Sequence, residues 1–343
     1  MPAEIIADPE VLEEDYIPQS VPCRDVQRAE LVDCLSPFKK RIKPCDCLCH
    51  GQSGTGKTTL VKYVLEQIEE NTIARAFYVN CWENRTLSTV LDKLLEQADL
   101  IVSEVGYTAK VARLKERIGG KVCIIALDEV DKIGRKELDD ILYILKDLGK
   151  VGIVCISNTR RYVLTLDPRI MSRLNLRSIN FPKYSDAELL AILKYRVEDC
   201  RALYPKTCSE ELLKKIADLA AGDARIAIQT LRGAACNAER ANKSRITYED
   251  VGRGFEEVKE IKKKYDLEAL TPHHRLILTI LKEHGEISST EFHGLYKKEA
   301  DKQGLKAKSQ RSFNKYIADL IKLNRIEVDR AKMRGNVRLF RCV

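Results

Sequence analysis

The segment Gly51-Gln52-Ser53-Gly54-Thr55-Gly56-Lys57-Thr58 constrains the fold more than any other part of the chain. It fits G-x-x-x-x-G-K-[ST], a pattern that works where a strand runs in and an amphipathic helix runs out. Both flanks are present. CDCLCHG (45–51) is a short apolar run, and Lys57–Glu70 carries apolar residues at i, i+3, i+4 spacing. Glycines let the backbone curl so that successive N–H groups point inward and form an anion nest at a helix N-terminus. In such a nest Lys57 neutralises the β- and γ-phosphates of a nucleotide. The Thr58 hydroxyl ligates Mg²⁺, and the adjoining Thr59 completes the phosphate-binding stretch.

A second element tests the first. VCIIALDEVD places Asp128 and Glu129 at the end of a hydrophobic strand. Two acids there are costly to desolvate without a cation, and the C-terminal ends of parallel strands are where α/β sheets bind ligands. Asp128 is therefore assigned to Mg²⁺ through water, and Glu129 to polarising the attacking water. Asn158, ending the run IVCISN, offers an amide to the γ-phosphate or that water.

Short apolar runs at 45–51, 74–81, 121–129 and 151–158 alternate with helical patterns at Leu87–Gln97 and Lys136–Leu148. This alternation predicts a parallel α/β sheet. From Phe181 strand signals cease, and the spacing predicts helices over Ser185–Leu203, Ser209–Ala221, Asp223–Ala241 and Thr247–Tyr265. Ser185 with Glu188, and Thr247 with Asp250, start like capping boxes. Gly222 is a natural stop. The lysines 262–264 and then Leu270-Thr271-Pro272 read as a linker before three further helices (Pro272–Glu283, Ser289–Lys302, Lys308–Leu323) and a hairpin. The hairpin runs Arg325–Arg330, a tip AKMRGN, then Val337–Val343. Helices followed by such a hairpin make a winged helix.

Composition excludes some classes. With 44% apolar and 32% charged residues the chain is neither a disordered tail nor a membrane protein, and no apolar run approaches the roughly 20 residues that span a bilayer. The acidic start MPAEIIADPEVLEEDY fits neither a secretory signal nor a transit peptide, so a cytoplasmic, nucleoid-associated location is expected. The twelve cysteines are scattered, except for Cys45, Cys47 and Cys49 before His50. They read either as small apolar side chains on a buried strand or as a metal site, and no second half of a zinc motif lies downstream. From Glu260 onward 19 Lys/Arg face 11 Asp/Glu, an excess of eight that equals the formal net charge of the whole chain, +8. That charge points to a polyanion as partner of the last quarter.

The motif set resembles the AAA+ ATPase superfamily and, within it, the archaeal replication-initiator family related to the origin-recognition-complex large subunit and the cell-division-control helicase loader. The residues that carry the resemblance are Pro22–Asp25 (PCRD), GQSGTGKT, LDEVD, LDPRIMSRL (166–174), GDARIAIQTLR (222–232) and the C-terminal winged helix. The resemblance implies an AAA+ P-loop α/β domain over 1–183, an all-α lid over 184–266 and a winged-helix domain over 267–343. It makes Asn158 sensor 1, Arg173 the arginine finger with Arg169 accessory, and Arg225 sensor 2. Tyr16, Val21 and Arg24 become candidates to pack on adenine, and 94–113, with Gly106, Tyr107 and Thr108 at its tip, matches a DNA-contacting insertion. It implies ATP or ADP with Mg²⁺ as cofactors. The implied partners are origin duplex DNA, the minichromosome-maintenance (MCM) helicase and other initiator copies. A branch-migration helicase motor, a clamp-loader subunit and an ATP-dependent transcription regulator share parts of this set.

The C-terminal domain has its own chemistry for DNA. Lys308, Ser309, Arg311, Ser312 and Lys315 crowd the first turns of a candidate recognition helix, while Phe313, Ile317, Leu320 and Ile321 can face its core. Lys332, Arg334 and Arg338 surround Gly335 at the wing, suited to a minor groove where negative potential concentrates.

Overall fold

A computed structural model describes the chain apart from residues 1–3, 73, 102–105, 119, 164, 269, 323–324, 331–337 and 343, and the side chains of 262–268, 322 and 330. The chain divides into two compact units, Met1–Val258 and Lys259–Val343.

The first unit opens with α1 (Asp25–Leu35) and then alternates strands and helices. The strands are β1 (Asp46–His50), β2 (Arg75–Asn80), β3 (Cys123–Asp128), β4 (Val151–Ser157) and β5 (Leu176–Asn180). They form one parallel sheet in the order β2-β3-β4-β1-β5. Between them run α2 (Lys57–Asn71), α3 (Leu87–Gln97), α4 (Tyr107–Ile118), α5 (Arg135–Lys146), and the short α6 (Arg160–Val163) and α7 (Pro168–Arg173). Every residue of β3 and β4 is buried, which explains why they read as continuous apolar runs. Alternation sends Leu48, Ile125, Leu127 and Ile153 to one face and Cys47, Cys49, Ile124 and Val154 to the other.

Departures from the predicted elements have physical causes. β5 shows no apolar run because it is an edge strand with only Ile179 buried. α4 starts at Tyr107 and is held by Lys110, whose Nζ lies 2.6 Å from Asp92 and 2.8 Å from the Ser88 hydroxyl. Gly106 precedes this helix and Tyr107 and Thr108 begin it, while 102–105 lie outside the described residues. Cys45 precedes β1 and is half-buried, whereas Cys47 and Cys49 are in the core. Among the described residues no group of three or more His, Cys, Asp or Glu side chains could hold a metal ion.

The lid consists of α8 (Asp186–Glu198), α9 (Glu210–Ala220), α10 (Ala224–Arg240) and α11 (Tyr248–Glu268). Ser185 and Glu188 form the predicted capping box, and Ala221 and Gly222 end α9 in left-handed conformations, φ 50° and 87°. α8 stops short of Leu203, and α11 runs through lysines 262–264, which are helix rather than linker. The extreme N-terminal segment belongs here. The Ile5 and Ile6 N–H groups donate to one Glu239 carboxylate oxygen at 2.7 and 2.8 Å, and Val11 and Leu12 are buried in the lid's core.

The second unit continues with α12 (Pro272–His284), β6 (Glu286–Ser288), α13 (Phe292–Lys302), α14 (Gln310–Lys322), β7 (Ile326–Arg330) and β8 (Arg338–Cys342). Its antiparallel sheet has the order β6-β8-β7. This is the winged-helix order, with a three-residue strand β6 too short to show in the sequence. Thr271 caps α12, with Pro272 in its first turn. Phe292, Tyr296, Phe313, Ile317, Leu320 and Phe340 form the core, but Ile321 is exposed. Among the described residues no helix is long and apolar enough to cross a membrane.

One buried ion pair holds the sheet together at its N-terminal end. The Asp46 carboxylate receives Lys146 Nζ at 2.6 and 2.8 Å, the Ile153 N–H at 2.9 Å and the Asn175 N–H at 3.3 Å. It thereby joins β1 to α5, β4 and the approach to β5. Replacing Lys146 by Met strands a buried carboxylate and is expected to cost about 3 kcal/mol, read as a lower denaturant midpoint. An unaltered midpoint contradicts the role given to the pair.

Candidate functional site

The loop between β1 and α2 is shaped by glycines in left-handed conformations that favour glycine. Gly54 and Gly56 have φ of 72° and 78°, and each also faces a neighbour that leaves no room for a side chain. A Cβ on Gly54 would stand 1.8 Å from an Asp223 carboxylate oxygen, and one on Gly56 2.4 Å from the Tyr184 hydroxyl. The lid is therefore pressed directly on the loop. The Ala224 N–H donates to the Gly54 carbonyl at 3.0 Å, while Asp223 caps α10 by accepting from the Arg225 and Ile226 N–H groups.

The predicted residues converge on one cavity, lined by Ser53–Thr59, Asp128, Glu129, Asn158 and Arg225. Gly51 and Gln52 stand behind it. Their carbonyls each accept from Lys57 Nζ at 2.7 Å, and the Asn158 side-chain oxygen accepts from it at 3.2 Å. Burial lowers the Lys57 pKa, against the opposing pull of Asp128 and Asp131. Asp128 is buried and fully engaged. One oxygen accepts from the Thr58 hydroxyl at 2.7 Å and the Tyr78 hydroxyl at 2.8 Å, the other from the Glu129 N–H at 2.7 Å. Glu129 adopts a left-handed φ of 54°. Burial, and then the charge of Asp128, push its carboxyl pKa upward. At the tip of β4, Asp131 accepts from the Ser157 hydroxyl and the Asn158 N–H at 3.1 and 3.2 Å, which sets the position of Asn158.

Other expectations are placed elsewhere. Arg24 does not line the cavity. It is 2% exposed and donates to the carbonyls of Thr55 (3.0 Å), Cys23 (3.1 Å) and Pro182 (2.7 Å), with its guanidinium 3.6 Å from the centre of the Tyr184 ring. It is a clamp behind the loop, because a PCRD turn feeds it straight into α1. Val21 is buried in the sheet's core, and Tyr16 lies 4.6 Å under the guanidinium of Arg196, which itself lines the cavity. Arg173 is half-exposed on α7, over the Tyr143 ring at 4.4 Å and 3.9 Å from Asp147, away from the cavity of its own chain. Arg169 is exposed beside it.

Several residues that line the cavity, or that hold the residues lining it, gave little signal in the sequence. Glu13 and Glu14 read only as part of an acidic start, yet they line the cavity opposite the loop. Arg196 looked like one helical arginine among many. Tyr78 is an aromatic on a strand. Asp131 alone had a cue, being the last acid of LDEVD.

On the second unit, Arg311 and Lys315 are exposed on α14 and Ser312 is half-exposed. Lys308 and Ser309 sit just ahead of this helix rather than in it. They too are exposed, and Ser309 accepts from the Ser312 N–H at 3.4 Å. Arg338 is exposed at the start of β8, whereas Lys332, Arg334 and Gly335 lie outside the described residues. Among the described residues no carboxylate pairs with Lys308, Arg311 or Lys315.

A glycine cradle at a helix N-terminus, an acid pair at the neighbouring strand end and a helical lid pressed on the cradle define an AAA+ nucleotide-binding domain. The comparisons with known proteins agree. A profile of the AAA domain matches residues 47–164, and one of the Cdc6 AAA+ ATPase-type lid domain matches 190–256. The ORC1-type DNA replication protein 9 of Halobacterium salinarum is 32% identical over 96% of this chain and 92% of its own length. ORC1-type DNA replication protein 1 of Sulfurisphaera tokodaii is 33% identical over 93% and 84%. Among solved structures, the Aeropyrum pernix ORC1 protein in complex with DNA superimposes with a TM-score of 0.81 at 27% identity, covering 100% of this chain and 94% of that one. The chain belongs to the ORC1-type DNA replication protein family.

The placement of Arg24 generates a test. Replacing it by Met keeps much of the volume but leaves buried carbonyls without a donor, an expected loss of at least about 2 kcal/mol. The loss should appear in unfolding measured without nucleotide. A variant of unchanged stability that only binds nucleotide more weakly would make Arg24 a ligand contact instead.

Proposed function

We propose that this chain is a nucleotide-controlled initiator. It binds ATP between the phosphate loop and the lid, hydrolyses it slowly, holds origin duplex DNA through its C-terminal domain, and helps to load the MCM helicase. The observation that carries the nucleotide reading is the convergence of Lys57, Thr58, Asp128, Glu129, Asn158 and Arg225 on one cavity. The Gly-rich turn aims loop amides at the β- and γ-phosphates, and Lys57 exchanges the loop carbonyls it now holds for phosphate oxygens. Thr58 and Asp128, already 2.7 Å apart, are the residues to hold Mg²⁺. Bound there, the ion neutralises charge on the phosphates. Glu129 orients the attacking water, and its raised pKa suits a group that takes up a proton. Asn158 holds that water or the γ-phosphate, and Arg225 reaches the γ-phosphate from the lid.

Arg173 fits this scheme only on the site of a neighbouring copy. A finger supplied from outside is worth about 10³–10⁵ in rate, which supports slow turnover in a lone subunit and a switch-like use of ATP. α11 carries the chain from the lid into the second unit, so a change in lid posture acts on the element that precedes the DNA-binding domain.

For DNA, the support is the exposed cationic start of α14, which no carboxylate among the described residues pairs with, and Arg338 exposed at the start of β8, together with the complex of the Aeropyrum pernix relative. Six to eight phosphate contacts would weaken binding roughly a thousandfold between low and moderate salt. The test uses an origin duplex and Mg·ATP with two variants. Arg311→Ala should weaken DNA binding and lower the slope of log affinity against log salt by about one. Lys57→Ala should lose ATP binding while keeping most DNA affinity. Normal ATP binding by Lys57→Ala removes the nucleotide assignment, and an unchanged salt slope for Arg311→Ala removes α14 from the DNA interface.

A further inference from the structure

The acidic N-terminal segment is built into the nucleotide cavity. Its Ile5 and Ile6 amides are tied to Glu239, Val11 and Leu12 are buried in the lid, and the Val11 carbonyl accepts from Arg196 at 2.5 Å. So anchored, the segment presents two carboxylates to the lid helix α10. Glu13 pairs with Arg232 at 2.6 Å, and a Glu14 oxygen stands 3.3 Å from Arg225 Nε while the other accepts from the Gln229 amide. Both glutamates line the same cavity as the phosphate loop.

We infer that Glu14 sets the preference of this site between ATP and ADP by holding Arg225 in the place of a γ-phosphate, an inference that rests on the nucleotide reading above. Arg225 is the lid cation assigned to the third phosphate, and its partner here is a carboxylate of the same chain. ATP must draw Arg225 away from Glu14, or share it, and must also bring its extra negative charge toward that carboxylate. ADP does neither, since it has no phosphate for Arg225 and carries one charge less. Glu14 therefore handicaps ATP more than ADP. Because the segment is anchored to the lid, the acid does not simply swing away. The Arg225 pair is half-exposed, so its effect is that of a partly screened ion pair rather than a buried one.

The test is Glu14→Gln, which keeps shape and hydrogen-bonding capacity and removes the charge. Dissociation constants for Mg·ATP and Mg·ADP are measured by calorimetry on the full chain at fixed ionic strength, with a melting curve to verify folding. The variant should bind ATP about two- to fivefold more tightly, the size expected of a half-exposed ion pair, with ADP binding unchanged. Equal shifts for both nucleotides, no shift, or weaker ATP binding in a folded variant overturns the inference while leaving the nucleotide site intact. A wild-type chain that binds neither nucleotide overturns the site and the inference together.

Discussion

The contact between the lid and the phosphate loop is the interaction on which the rest of the first unit depends. A single peptide hydrogen bond, Ala224 N–H to the Gly54 carbonyl, joins α10 to the loop at its tightest point. Asp223 and Tyr184 fill the space that side chains on Gly54 and Gly56 would need. From behind, Arg24 fastens Thr55 in the loop to Pro182 in the link toward the lid. The loop is therefore a joint between two layers as well as an anion cradle. Whatever sits on its amides meets the N-terminus of α10 next, with Arg225 in its first turn.

Charge in the cavity is arranged around that joint. Lys57 is nearly buried, and the loop carbonyls and Asn158 satisfy its ammonium protons. Asp128 has its oxygens taken up by Thr58, Tyr78 and the Glu129 amide, and Arg225 is turned to Glu14. Lys57, Asp128 and Arg225 are thus each engaged by another part of the protein. This agrees with the rule that buried polar groups are paired, and it means that ligand binding here is an exchange of partners. The net gain of such an exchange is smaller than a count of contacts suggests, which suits a switch better than a trap.

Much of this was legible in the sequence, and the reasons differ by element. The loop, β3 and β4 declared themselves because a fixed glycine pattern and fully buried strands leave unambiguous traces. The pairs Ser185 with Glu188 and Thr247 with Asp250 marked helix starts through local chemistry. β5 was missed because an exposed edge strand need not be apolar, and β6 because it has three residues. The helix α11 ran on through a lysine run that looked like a linker, since charged residues favour helix as readily as solvent-exposed loop. At the site, Arg24 was placed on the ligand when it lies behind the loop. Its role is set by carbonyls brought together only in three dimensions. Glu13 and Glu14 reach the cavity because residues 5–12 pack in the lid's core more than 180 positions away in sequence, beside Ala202 and Glu239. No local pattern reports a contact of that range.

The most direct measurement of the central claim is amide hydrogen exchange over residues 51–58 and 223–229, in the chain alone, with Mg·ADP and with Mg·ATP. The account predicts that both nucleotides slow exchange in the loop, and that ATP slows it further at the start of α10, where Arg225 meets the third phosphate. Exchange at 51–58 that neither nucleotide alters, in a chain that is otherwise folded, would contradict it.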